Sequence, residues 1–203
     1  MNPISKTEYV EKNVRVMARS YEAHRIVRAD ELGWTLRRPD SGCLWARVLV
    51  TADRVIVIGD GPDMILRHAE SSPVDAICWL ASSDLDYLGT KVLAGEARQW
   101  NEEVALDELL CLERDLKEER KAACERSDGN EDEETWQDEE DEEDWISSAT
   151  RALYRSNRRD FIESISDRER MNMGEVPSIA LIQVRLVAQA IVREMKRCFE
   201  EES

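Results

Sequence analysis

Residues 128–144 read DGNEDEETWQDEEDEED, with twelve carboxylates in seventeen positions and no base among them. Such a run repels itself and offers almost nothing apolar to bury, so it is expected to be an extended, flexible spacer outside any packed core. The foldable material therefore lies on either side of a spacer at about 127–144. The chain carries a formal charge of −16, yet without the twelve carboxylates the remaining 186 residues carry only −4. The acidity belongs to one segment, and it is that segment, not a globally acidic surface, that asks for an explanation.

The chain has 203 residues, of which 42% are apolar, so one ordinary core and an appendage can form. No run of eighteen apolar residues is present, which argues against a membrane span and a membrane partner. The opening residues, Met1 to Glu8, lack a basic stretch followed by an apolar one, and the expected location is the cytoplasm. Cys43, Cys78, Cys111, Cys124 and Cys198 are scattered with no CxxC pair, and only His24 and His68 could join them. Zinc needs clustered ligands, so no zinc site and no cofactor are expected; the thiols read as reduced and mostly buried.

Ser5 followed by Glu8 forms a capping-box signature, and Val10, Val14, Met17 and Tyr21 recur on one helical face. This predicts a first helix ending between His24 and Ala29. Strands are predicted at Trp34–Arg38, Cys43–Val50 and Arg54–Ile58, the last two joined by Thr51-Ala52-Asp53 as an antiparallel hairpin. Met64–His68 and Ala76–Leu80 read as two more strands. Asp84 offers a cap for a helix through Leu85, Leu88 and Val92, closed by Gly95. A long helix is expected from Asn101 to Glu125, apolar on one face at first and polar after Lys117. Helical signals resume beyond Asp144, and Pro177-Ser178 opens the clearest helix, with Ile182, Leu186, Ala190, Ile191, Met195 and Cys198 along one face. The fold class is thus α+β: a small, mostly antiparallel sheet with flanking helices in residues 1–100, a long helix at 101–126, the acidic spacer, and a helical segment at 145–203.

Trp34 leading into Arg38-Pro39-Asp40-Ser41, the β-run ending in Gly59-Asp60, and Trp79 followed by Asp84, Tyr87 and Lys91 resemble small accessory proteins encoded by bacteriophages and prophages. The resemblance covers about half of the chain. It implies a phage-type origin, and a host-cell cytoplasm as the place of action, and it carries over no catalytic residues.

Two candidate sites follow from the residues themselves. Asp60 and Asp63 on a loop after a strand, with His68 nearby in sequence, could serve a divalent ion or a hydrolytic reaction. Asp and Gly at 59–63 are equally what a tight turn requires, and neither a calcium-loop spacing nor a phosphate-binding glycine loop is present. No catalytic or metal residues are therefore assigned, and the metal-dependent enzyme stands as the alternative. The other candidate is the acidic segment: Glu139, Glu140, Asp141, Glu142 and Glu143, with Trp136 and Trp145 as apolar anchors, would suit a protein partner with a basic surface. A row of carboxylates can imitate a nucleic-acid backbone, and so inhibit a nucleic-acid-binding or host-defence complex. A pI near 4.6 argues against direct nucleic-acid binding, and Arg155, Arg158 and Arg159 are expected to face solvent or pair with the spacer. A third reading is structural, a homo-oligomer formed through helix 178–200.

Overall fold

Five segments between Arg25 and Arg67 are rich in aliphatic and β-branched residues, and in the computed structural model they pair as successive antiparallel strands, four of which alternate buried with more exposed side chains along most of their length. The residues described are 2–31, 33–39, 45–61, 63–126, 146, 148–155, 160–161 and 172–201, with the side chains of 120 and 123–126 left aside. The strands are β1 (Arg25–Asp30), β2 (Gly33–Arg37), β3 (Ala46–Val50), β4 (Arg54–Gly59) and β5 (Met64–Arg67). A short sixth, β6 (Val92–Ala94), completes a sheet of order β1-β2-β3-β4-β5-β6. The α+β class and the antiparallel sheet are as the sequence predicts.

Contacts divide the chain into two compact units that do not follow chain order. One comprises Val10–Gln99 and Pro177–Ser203, the other Met1–Tyr9 and Trp100–Val176. The first unit contains the sheet. The hairpin β3–β4 closes where the Thr51 N–H donates to the Arg54 carbonyl (2.9 Å) and the Arg54 N–H to the Thr51 hydroxyl (3.2 Å). Helix α1 (Lys6–Tyr21) starts with the expected cap, Glu8 N–H on the Ser5 hydroxyl at 3.2 Å. It does not run on toward Ala29: β-branched Ile26 and Val27 enter β1, where Arg25 faces Arg37 and Ile26 faces Leu36. Sheet pairing overrides the helical reading of these residues.

A second correction concerns Ala76–Leu80, read from sequence as a strand. It lies in helix α2 (Pro73–Ser82). Ser72 is its N-cap, accepting from the Asp75 N–H at 3.1 Å, and Pro73 occupies the first turn, where its missing N–H does no harm. Helix α3 (Leu85–Gly89) is likewise shorter than predicted. Asp84 caps it, accepting from Asp86 and Tyr87 at 2.8 and 3.3 Å, but Val92 belongs to β6. Gly95, with φ of +105°, ends a strand there rather than a helix.

The end of the chain completes this unit. Strands β7 (Arg98–Trp100) and β8 (Glu175–Pro177) pair in a separate two-stranded sheet, and two long helices are α4 (Glu102–Arg126) and α5 (Ile179–Glu201). Ser178 caps α5 by accepting from the Leu181 N–H at 3.0 Å, while its hydroxyl donates to the Glu96 carbonyl. The apolar face of α5, including Leu181, Ile182, Val184, Ala188 and Ile191, is buried against α2 and the sheet residues Leu36, Val48, Val55 and Leu66. That face is thus occupied within the chain itself. Cys198, expected on it, is exposed, as is Cys78, so the expectation of mostly buried thiols fails for both.

In the other unit, Asn101 caps α4 by accepting from the Val104 N–H at 3.0 Å. Ala105, Leu106 and Leu109 of α4 form a core with Ile146, Ala149, Ala152, Leu153 and Phe161. The first turns of α4 are therefore packed, as its apolar start predicts. Gly174 turns back onto this core with φ of +75°, and its N–H donates to the Glu108 carboxylate at 2.7 Å.

Two outcomes test this arrangement. Leu181 is fully buried, so Leu181→Ala is expected to lower stability by about 2–5 kcal/mol in urea unfolding, in line with large-to-small changes in cores. A helix 178–200 that did not cover the sheet would give a far smaller loss. Tyr21 has its phenol pKa pushed above the ordinary 10.0 by burial. As pH rises past 10 the unfolded chain loses this proton first, so stability is fully present below that pH and declines above it. Tyr21→Phe removes this contribution, and the stability of the variant relative to the parent should rise between pH 9 and pH 11 in denaturant titrations.

Candidate functional site

The loop that links β4 to β5 is built by close backbone approach. Gly59 lies opposite Ala46, and a Cβ there would run into the carbonyl oxygen of Trp45, so only glycine fits. Asp60 accepts from the Trp45 N–H at 3.3 Å and donates its own N–H to the Trp45 carbonyl at 3.0 Å. Asp63 accepts from the Gly59 N–H at 3.4 Å. Both carboxylates thus close the turn, each holding a main-chain donor.

His68 is buried away from them in its bonding. Its Nδ1 accepts from the Glu70 N–H at 3.1 Å, which places the ring proton on Nε2, 3.1 Å from the Thr51 carbonyl that accepts it. Both ring nitrogens are used to fix the β3–β4 link to the chain after β5. Asp60, Asp63 and His68 therefore each serve main-chain contacts of their own, and among the described residues no three His, Cys, Asp or Glu side chains converge as metal ligands would. Ser82 donates to the Cys78 carbonyl at 2.8 Å within its own helix.

The residues singled out around Trp79 do come together. Trp79 and Tyr87 meet edge to face with ring centres 6.3 Å apart, and the Lys91 ammonium sits 4.8 Å from the centre of the Tyr87 ring. His68 and Trp79 lie 6.4 Å apart. This cluster joins α2, α3 and the turn before β6.

Trp136, Glu139, Glu140, Asp141, Glu142, Glu143 and Trp145 lie outside the described residues, as do Arg158 and Arg159. What precedes and follows them is informative. α4 on one side and the helical residues 148–154 on the other contribute to the same core, through Leu106 and Leu109 on α4 and Ala149 and Leu153 after the segment. The acidic sequence is therefore an insertion within one folded unit and not a terminal tail.

Sequence reasoning missed a groove between α2 and α5. It encloses about 820 Å³ and is lined by Cys78, Ala81 and Ser82 from α2, and by Val192, Lys196 and Arg197 from α5. The i, i+4 spacing of Val192 and Lys196 is the signal that could have placed them on one stripe. The cations are largely spoken for. Arg197 bonds Glu194 at 3.3 Å and Glu201 at 2.9 Å, and these carboxylates raise its pKa above the ordinary arginine value. Arg193 donates to the Tyr21 carbonyl at 3.0 Å. Comparison with protein-family models, with curated proteins and with solved structures finds no match to the chain. No helix among the described residues is long and apolar enough to cross a membrane.

Since His68 spans two main-chain groups, His68→Ala is expected to destabilise the protein by about 1–3 kcal/mol, the cost of leaving partly buried polar groups unmet. Magnesium or calcium at millimolar concentration should leave the melting temperature of the parent protein unchanged, because both loop carboxylates already hold main-chain donors. A rise of several degrees with either ion would restore the metal-site reading.

Proposed function

We propose that the protein is a non-catalytic binding protein of phage-accessory type, whose acidic segment engages the basic surface of a host or phage protein. The observation that carries this reading is the placement of twelve carboxylates in one stretch bracketed by residues of a single core. An insertion tethered at both ends loses less freedom on binding than a free tail of the same composition, so more of its charge attraction survives as affinity. The side chains that chemistry would need are used by the fold instead: Asp60 and Asp63 in a turn, His68 between the β3–β4 link and the chain after β5. Carboxylates in a row present the charge spacing that a nucleic-acid-binding groove accepts, which makes a nuclease, polymerase or defence complex the natural kind of target. Trp136 and Trp145 would supply the apolar contacts that charge alone cannot.

Replacing Glu139, Glu140, Asp141, Glu142 and Glu143 by glutamine and serine should abolish partner recovery in affinity purification from a host lysate. Thermal unfolding of the same variant should match the parent within about a degree. Undiminished recovery of the same partner by that variant would reduce the segment to a linker. Binding should also weaken steeply between about 50 and 300 mM salt, since the attraction is between screened charges.

A further inference from the structure

The sheet has a second face. Its buried face carries Leu36, Val48, Val55, Val57 and Leu66, and the helices of the unit pack there. Strand alternation sends the intervening side chains to the opposite side. There, Leu49 on β3, Ile56 on β4 and Ile65 on β5 stand directly opposite one another across three strands, and Ile58 flanks the row beside Arg47. None of the four belongs to the buried core or to the hydrophobics packed on it, and each keeps part of its surface exposed. The solvent-facing side of an antiparallel sheet ordinarily reads polar, so a contiguous aliphatic row marks a surface meant to be covered.

Arginines frame this row. Arg28, Arg37, Arg47, Arg54 and Arg67 all fall on the same face by register, against one strand carboxylate, Asp30. Arg47 is fixed in the middle by the Thr35 hydroxyl at 2.7 Å and by Asp30 at 2.8 Å. Arg28 and Arg54 form exposed pairs with Asp30 and Asp53 at 3.0 and 3.5 Å, contacts that solvent makes weak and exchangeable. Arg37 and Arg67 are exposed. Aliphatic centre and guanidinium frame specify the occupant: apolar side chains with carboxylates on either side.

We propose that this face docks an acidic amphipathic helix of a partner protein, with its apolar stripe on Leu49, Ile56 and Ile65 and its carboxylates on Arg37, Arg54 and Arg67. A second copy of the same face is disfavoured because it would oppose arginine to arginine. Single-stranded nucleic acid is disfavoured because bases need aromatic platforms, and the centre of this face is aliphatic. Guanidinium groups accept carboxylates in a two-pronged fashion, which gives direction to the docking as well as attraction. None of the residues named on this face lies within 128–144, so the two proposals rest on different residues and either can fail without the other.

The test uses the full-length protein and an eighteen-residue synthetic helix with leucine on one face and glutamate on the other, followed by fluorescence anisotropy. The same composition in scrambled order and a twenty-nucleotide poly-dT serve as comparisons. The patterned helix is expected to bind at least tenfold more tightly than either. The double substitution Arg37→Glu with Arg67→Glu should weaken it at least tenfold at unchanged melting temperature, since both side chains are exposed; Ile56→Ser should weaken it as well. Lys196→Glu, in the groove between α2 and α5, should bind like the parent. Equal binding of the scrambled peptide, tighter binding of poly-dT, no binding at all, or loss through Lys196→Glu alone would each overturn the proposal. So would dimerisation in light scattering that Ile56→Ser abolishes, which would assign the face to a second copy.

Discussion

One face of α5 must be buried, and most of the sheet-bearing unit follows from where it goes. A sheet with an apolar side needs a covering layer, and the ten residues of α2 cannot cover four central strands alone. Leu181, Ile182, Val184, Leu186, Val187 and Ile191, all nearly inaccessible, fill what α2 leaves open. Their source is the last stretch of the chain, separated from the sheet by residues 100–176, which belong to the other unit. The entropy of closing so long a loop grows only with the logarithm of its length, so the burial of a whole helical face readily outweighs it. Until residues 177–203 are present, the inner side of the sheet has no complete cover.

The same helix carries a carboxylate into that interior. Glu194 is only 2% exposed, and Arg25, Arg197 and Arg193 approach it at 3.4, 3.3 and 3.9 Å. A buried carboxylate is tolerable only when paired, and losing one partner leaves an uncompensated charge. The cluster therefore fixes position more than it adds stability. Arg25 ties the start of β1 to α5, and Arg193 satisfies the carbonyls of Tyr21 and His24 at the end of α1. The carbonyl of Tyr21, the last residue of α1, is met both by the nearby His24 N–H at 3.1 Å and by a side chain from 172 residues further along.

That dependence explains which elements were legible in the sequence. The β3–β4 hairpin, the capped start of α1, the packed start of α4 and the apolar face of α5 are each written in a local pattern, and each is where the pattern puts it. The end of α1 is not wholly local, because Arg193 is among its partners and β1 needs the pairing with β2 to outcompete helix. Ala76–Leu80 failed for another reason. Five consecutive apolar residues have no readable period, so strand and buried helix look alike. The deciding signal lay just upstream in Ser72-Pro73-Val74-Asp75, a cap, a first-turn proline and an acid for the helix N-terminus. For the candidate sites, Gly59 to Asp63 was legible as a turn because Asp and Gly have strong local meaning. The arginine face was not, since Arg37, Arg47, Arg54 and Arg67 sit on four strands and gather only through register.

Net charge is consequently a poor guide to what this protein attracts. At physiological ionic strength a charge is felt over about 8 Å, so a ligand on the sheet responds to the strands beneath it and not to the formal −16 of the chain. The low pI, which argued from sequence against direct nucleic-acid binding, averages over distances at which screening has already removed the interaction. Exposed arginines such as Arg28 remain hydrated when free, so keeping them on an open face costs the fold little. What would be costly is the aliphatic row they surround, which loses nothing by being covered and gains about 25 cal/mol for each square ångström removed from water. Charge then selects the partner, and Leu49, Ile56 and Ile65 supply the reason for it to stay.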